Sequence, residues 1–218
     1  MNICGIDEAG RGPVIGPLVI CGLCAEEDKI KGLKVRDSKE LSRNRREILY
    51  QKIIENSNSY SLEILKPEVI DSMRRRYTLN EIEAIYIAKI IDSLGSNTYY
   101  VDAADVNEKR FEEEIRKYLK IDAVIISRHH ADRDYPIVSA ASIVAKVVRD
   151  REIDRLKEIY GDFGSGYPSD PRTIKFLKEY LIKNRRFPPI VRTTWETLKK
   201  INTSLEFFID GEGNGKTG

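Results

Sequence analysis

The chain has 218 residues, 41% of them apolar and 33% charged, which suits one domain of ordinary size with an appendage and excludes a disordered chain. Lys and Arg (37) nearly balance Asp and Glu (35), for a formal net charge of +2, so bulk charge alone does not announce a nucleic-acid partner. No run approaches the ~20 apolar residues of a membrane span, and the first residues lack the basic-then-apolar order of a secretory leader, so the cytoplasm is the expected location.

Residues 2–7 predict a short strand that ends on two adjacent acids, Asp7 and Glu8, followed by Gly10, Arg11 and Gly12. Residues 14–25 predict a second strand, with Gly and Pro marking a bend or an edge. It carries Cys21 and Cys24. Residues three apart on a strand face opposite sides, no second pair completes a zinc site, and an odd count of three makes no disulfide framework, so packed thiols are expected. DSKELS (37–42) reads as a loop whose Ser42 caps a helix to about residue 56. Residues 59–66 alternate like a third strand, and Pro67 opens a short helical stretch. The clearest helix covers 78–95. Thr78 and Glu81 form a capping box, Leu79, Ile82, Tyr86, Ile90 and Leu94 build an apolar stripe, and Gly95 is a suitable terminator. A fourth strand, 98–102, ends in Asp102, and Asn107 can cap a charged helix to about residue 119. Residues 122–127 predict a fifth strand, RHHADRDYP a polar loop, and 137–160 a long helix on which Ser139, Ser142 and Lys146 share a face. Asp170 and Pro171 start a helix over 171–184, and another covers 194–207. The closing DGEGNGKTG mimics a phosphate loop, but Asp210 stands where that pattern needs Gly, so a flexible tail is expected.

Strands interleaved with helices predict an α/β sheet domain over 1–166, a small helical subdomain over 167–208 and a tail over 209–218. Ligand sites in open α/β sheets lie at strand ends, where Asp7, Glu8 and Asp102 stand, with Asp132 just after the fifth strand. Singly, each acid also reads as a turn or cap residue, and Asp105 competes with Asp102. Jointly they need compensation, because two carboxylates ~4 Å apart repel by about 4 kcal/mol at an effective dielectric of ~20. Hard divalent cations supply it, Mg²⁺ typically with a few carboxylates, substrate phosphate and water, and paired ions serve in-line phosphoryl chemistry. Gly10 and Gly12 let main chain approach a ligand, and Arg11 can fork to a phosphate, although Gly-Arg-Gly alone reads equally as a turn. His129 and His130 read as loop histidines, since a hard oxygen site needs neither. Basic runs at 43–46, 74–76 and 183–186 can follow a phosphate backbone or be solvated helix faces.

GIDEAGRGPVIGPLV, VRDSKELS, YVDAADV, HHADRDYPIVSAASIVAKVVRDR and GSGYPSDPRT occur in this order. Together these blocks, over about residues 1–200, resemble ribonuclease HII and look most like its archaeal branch, with no departure at the matched motifs. The resemblance implies a ribonuclease H-like mixed five-stranded sheet flanked by helices, with a small helical C-terminal region. It implies hydrolysis of RNA in RNA–DNA hybrids and incision 5′ of single ribonucleotides in duplex DNA, leaving 3′-hydroxyl and 5′-phosphate ends, with two Mg²⁺ or Mn²⁺ ions. The family's four catalytic, metal-holding acids carry over onto Asp7, Glu8, Asp102 and Asp132. Gly10, Arg11 and Gly12 would read the 2′-hydroxyl and hold the phosphate, and Tyr167 would join that network and pack on the neighbouring sugar. Ser38, Lys39 and Lys146 are candidate phosphate holders. NTSLEFFI, 202–209, partly resembles a sliding-clamp peptide, with Asn202 in place of Gln, Leu205 at the aliphatic position, and Phe208 and Ile209 approximating the aromatic pair. Packing on its own domain is the other reading of that segment. A monomer is expected. A non-catalytic hybrid-binding module is the alternative function, but a pure binder of polyanions would not keep four carboxylates at its binding surface.

Overall fold

The computed structural model describes residues 2–35 and 41–201. Five strands form one mixed sheet: β1 (Asn2–Ala9), β2 (Leu18–Glu26), β3 (Ser59–Leu65), β4 (Thr98–Asp102) and β5 (Val124–Arg128), in the order β3-β2-β1-β4-β5. The β3-β2-β1 half is antiparallel, and β1, β4 and β5 run parallel. The helices are α1 (Glu27–Gly32), α2 (Arg43–Asn56), α3 (Pro67–Met73), α4 (Leu79–Leu94), α5 (Glu108–Arg116), α6 (Ala131–Asp134), α7 (Pro136–Tyr160) and α8 (Pro171–Asn184).

Local sequence sets most helix ends. Ser42 accepts from the Arg45 amide, Thr78 and Glu81 form a reciprocal capping box, Gly95 ends α4 in the left-handed conformation, and Asp170 caps α8 ahead of Pro171. Strand alternation then divides the core. Ile3, Val19, Cys21 and Leu23 pack with the small residues of α7, while Cys4, Ile6, Ile20 and Cys24 pack with α4 and Phe111 of α5. Gly5 is required where α7 crosses β1, because a Cβ there would fall 2.5 Å from the Ile137 carbonyl carbon. A third cluster joins Val14 and Ile15 to Phe163, Leu177, Val191 and Leu198.

Several expectations change. The second strand starts at Leu18, not residue 14: Pro13 and Pro17 have no amide to donate, Gly16 has φ +89°, and Ile15 instead bridges to Val191. The loop RHHADRDYP contains the short helix α6, and the short helix α1 follows β2 where the sequence predicts no element. The last helix begins at 196 rather than 194 and is described only to 201. The thiol expectation also fails for one pair. Cys4 and Cys24 are register partners across β1 and β2, with Cα atoms 4.1 Å apart, and they form a disulfide. Cys21 stays a free, buried thiol on the opposite face from Cys24.

Candidate active site

Because β1, β4 and β5 run parallel, their C-terminal ends share one edge of the sheet, and Asp7, Glu8 and Asp102 meet there. Asp7 is buried on the α7 face. Ser142 hydrogen-bonds its carboxylate, and the Glu8 amide donates to its Oδ1 at 2.7 Å. Burial, followed by the charges of Glu8 and Asp102, holds the Asp7 carboxyl well above the ordinary range. Glu8 turns towards α4. Burial, then the charges of Glu83 and Asp102, pushes its carboxyl up to about 8 against the pull of Arg11. Asp102 accepts from the Ala131 amide at 3.1 Å. Ala131 opens α6, which sets the buried Asp132 in the first turn of that helix, next in sequence to the residue whose amide Asp102 holds. Asp105, the rival of Asp102, is engaged elsewhere: it pairs with Arg110, which holds its carboxyl well below the usual range, and accepts from the Asn107 amide at 2.9 Å and Asn80 at 2.8 Å.

Glu83 joins this cluster although the sequence reading passes over it. It is fully buried on α4 and paired with Arg11; burial raises its carboxyl to about 7 despite that partner. Its signal is legible in retrospect, since Glu83 stands four residues from both Leu79 and Ile87 inside the apolar stripe. The Arg11 guanidinium is turned inward, bound to Glu83 and donating to Asn80 Oδ1 at 2.5 Å.

The C-terminal segment fixes the glycine loop. Arg192, wholly buried, donates to the carbonyls of Gly10 (2.6 Å), Arg11 (3.0 Å) and Gly16 (3.0 Å), and Trp195 Nε1 donates to Gly12 O at 3.2 Å. The loop's carbonyls are thus taken up internally, while the amides of Arg11 and Gly12 donate to nothing among the described residues. Beside the loop lies an open hollow of about 370 Å³, lined by Glu8, Gly10, Arg11, Gly12, Lys146 and Tyr167 together with Arg46, Arg149 and Asp150. Five of the expected substrate residues therefore share one hollow with one of the acids. Ser38, Lys39 and the segment Asn202–Ile209 lie outside the described residues. His129 is exposed and hydrogen-bonded near Val106, in keeping with a loop role.

No three acids, histidines or cysteines among the described residues close on one point as a ready cage. Asp7, Glu8 and Asp102 nevertheless offer only oxygen donors at this edge, which suits a hard ion of the Mg²⁺ type that keeps several waters and takes one or two carboxylates plus substrate phosphate. The carboxyls at the edge are oxygen donors whose mutual repulsion a dication would relieve.

The family model for ribonuclease HII matches residues 4–198. Ribonuclease HII of Pyrococcus abyssi is 52% identical over 211 residues, covering 94% of this chain and 93% of that one. The crystal structure of ribonuclease H2 from Pyrococcus horikoshii has a TM-score of 0.88 and 48% identity, over 94% of this chain and 99% of that chain. The structure of the PCNA:RNase HII complex from Archaeoglobus fulgidus matches with a TM-score of 0.84 and 44% identity, over 90% and 96%. An acid-ended parallel edge, a glycine loop beside it and relatedness across nearly the whole chain converge: this protein belongs to the ribonuclease HII family, metal-dependent endoribonucleases that hydrolyse the RNA strand of RNA–DNA hybrids.

Proposed function

We propose that this edge cuts on the 5′ side of a ribonucleotide, including a single one embedded in duplex DNA, with Asp7, Glu8, Asp102 and Asp132 holding two divalent ions, Mg²⁺ or Mn²⁺. The observation that carries the reading is the meeting of Asp7, Glu8 and Asp102 at one edge of the sheet, where Glu8 also lines the hollow at Gly10–Gly12. When bound, the ions would neutralise these acids, activate water and stabilise the departing 3′-oxygen, leaving 3′-hydroxyl and 5′-phosphate ends. Ser142 and the Glu8 amide orient the Asp7 carboxylate, and the Ala131 amide orients Asp102. The idle amides of Arg11 and Gly12, with the Tyr167 hydroxyl and ring face, suit a 2′-hydroxyl, which both donates and accepts and marks RNA against DNA. Lys146 in the hollow, and Ser38 and Lys39 in the DSK motif, are the proposed phosphate holders. Asp7→Asn is expected to lower cleavage by roughly 10³-fold or more while hybrid binding persists, and EDTA is expected to stop the wild-type enzyme. Wild-type turnover in that variant would refute the assignment.

The Archaeoglobus fulgidus relative is seen in a complex with PCNA, and we extend that contact to Asn202–Ile209 of this chain. Removing residues 202–218 should abolish calorimetric binding to the cognate clamp yet leave cleavage of a short duplex unchanged; undiminished heat would retire the idea. A cytoplasmic monomer remains the proposal for the rest. No helix among the described residues is long and apolar enough to cross a membrane.

A further inference from the structure

Arg149, on α7, is buried, with 8% of its surface exposed, and its Nε and Nη2 have no hydrogen-bond partner among the described residues. Its neighbours along the helix are not left so. Arg151 pairs with Glu47, Arg155 with Glu152, and Asp150 with Arg46. Arg192, buried as deeply, is saturated by three carbonyls. A guanidinium does not escape the penalty by losing its proton in this range of pH, so an unpaired one in the interior is unfavourable until an anion reaches it.

The surroundings say where that anion would come from. Arg149 lines the same hollow as Glu8, Gly10–Gly12, Lys146 and Tyr167. Its guanidinium lies 5.7 Å from the centre of the Tyr167 ring. Its side chain occupies the space a side chain at Gly10 would need, since a Cβ there would collide with Arg149 Cδ and Nε as well as the Pro17 carbonyl. The first glycine of the loop is therefore matched to this arginine, with φ +91° as a further demand for Gly.

We propose that Arg149 binds a non-bridging phosphate oxygen of the nucleic-acid backbone at the floor of this hollow, forming an anion subsite behind Gly10. The inference rests on the reading of the hollow as the substrate site. Spacing on α7 agrees: Ser142, Lys146 and Arg149 follow at four and three residues, one continuous face.

The test uses the full chain and a DNA duplex with one ribonucleotide, with Ca²⁺ replacing Mg²⁺ to suppress cleavage, and binding followed across a salt series. Arg149→Met keeps the apolar stem and removes the charge. It is expected to melt at or above the wild-type temperature, to bind about tenfold more weakly, and to reduce the slope of log affinity against log salt by about 0.9, the share of one phosphate. Arg149→Lys should restore the slope. A single methylphosphonate walked along the strand should weaken wild-type binding at one position where it no longer weakens Arg149→Met. Gly12→Ala probes the hollow itself, since its methyl would sit 3.5 Å from the Tyr167 ring without clash. Unchanged binding in Gly12→Ala would overturn the reading of the hollow. Weakened binding there, with an unaltered salt slope in Arg149→Met, would overturn the Arg149 subsite alone.

Discussion

Glu8 illustrates how a single residue can work against the fold that holds it. Its carboxyl is raised, so the folded chain binds that proton more tightly than the unfolded chain does. The protonated form favours folding at low pH, and this advantage is lost as pH rises from the ordinary carboxylate range through about 8. Glu8→Gln removes the titration. In metal-free buffer the two proteins should melt together near pH 4.5, and the variant should melt several degrees higher by pH 8.5, at roughly 2–4 °C per kcal/mol for a chain of this size. Mg²⁺ should narrow the gap by stabilising the wild type, while the variant loses activity, a trade expected where catalytic groups are held in a repulsive cluster. Thermal melts in EDTA and in Mg²⁺ across this range would decide it. A difference that stays constant with pH would mean that Glu8 is not held protonation-prone by its burial and by the charges of Glu83 and Asp102.

At the scale of elements, what was legible in the sequence was what each segment settles by itself. The caps at Ser42, Thr78, Asn107 and Asp170 need only neighbours two or three residues away, and all four are found. The strand end marked by Asp102 was legible for the same reason, because an apolar run stopping at an acid is a local pattern, whereas β1 continues past Asp7 to Ala9, held by its pairing with β2. What escaped depends on register or on distant partners. Cys4 and Cys24 meet because β1 and β2 pair with Cys4 opposite Cys24, a fact no cysteine count contains. Arg11 and Glu83 are 72 residues apart, and Arg192 reaches carbonyls 176 to 182 residues away. β2 starts at Leu18, later than its apolar run alone predicts, because the bridge from Ile15 to Val191 draws the preceding segment away from the sheet. Even the small residues at the start of α7 acquire their meaning only from the sheet beneath: Gly5 offers no side chain there, so the helix can lie directly on β1 and bring Ser142 to Asp7.

Across the whole molecule, residues distant in sequence build the glycine loop that is proposed to read the substrate. The proposed division at 166/167 separates a catalytic domain from a helical subdomain, yet Val14 and Ile15 share an apolar cluster with Leu177, Val191 and Leu198. Arg192 then carries the coupling into the site, because one planar fork serves three carbonyls at once. Replacing it with Met would leave those carbonyls without their donor, at about 1–3 kcal/mol for each one that water cannot reach, so the melting temperature should fall by several degrees. Lys can satisfy only part of the set and should fall between Met and wild type. The stronger expectation concerns function at temperatures where both variants are still folded. With its carbonyls released, the loop can turn, and the amides of Arg11 and Gly12 lose their fixed direction. The value of kcat/KM on a duplex with one ribonucleotide should then drop by about tenfold or more for Met, corresponding to at least ~1.4 kcal/mol of lost transition-state binding. Binding to an all-DNA duplex, which has no 2′-hydroxyl to read, should change much less. Paired measurements on the two duplexes, with circular dichroism to verify the folded state, separate the possibilities. Equal losses on both substrates, or full activity in the folded Met variant, would show that Arg192 only holds the C-terminal segment in place and does not orient the loop.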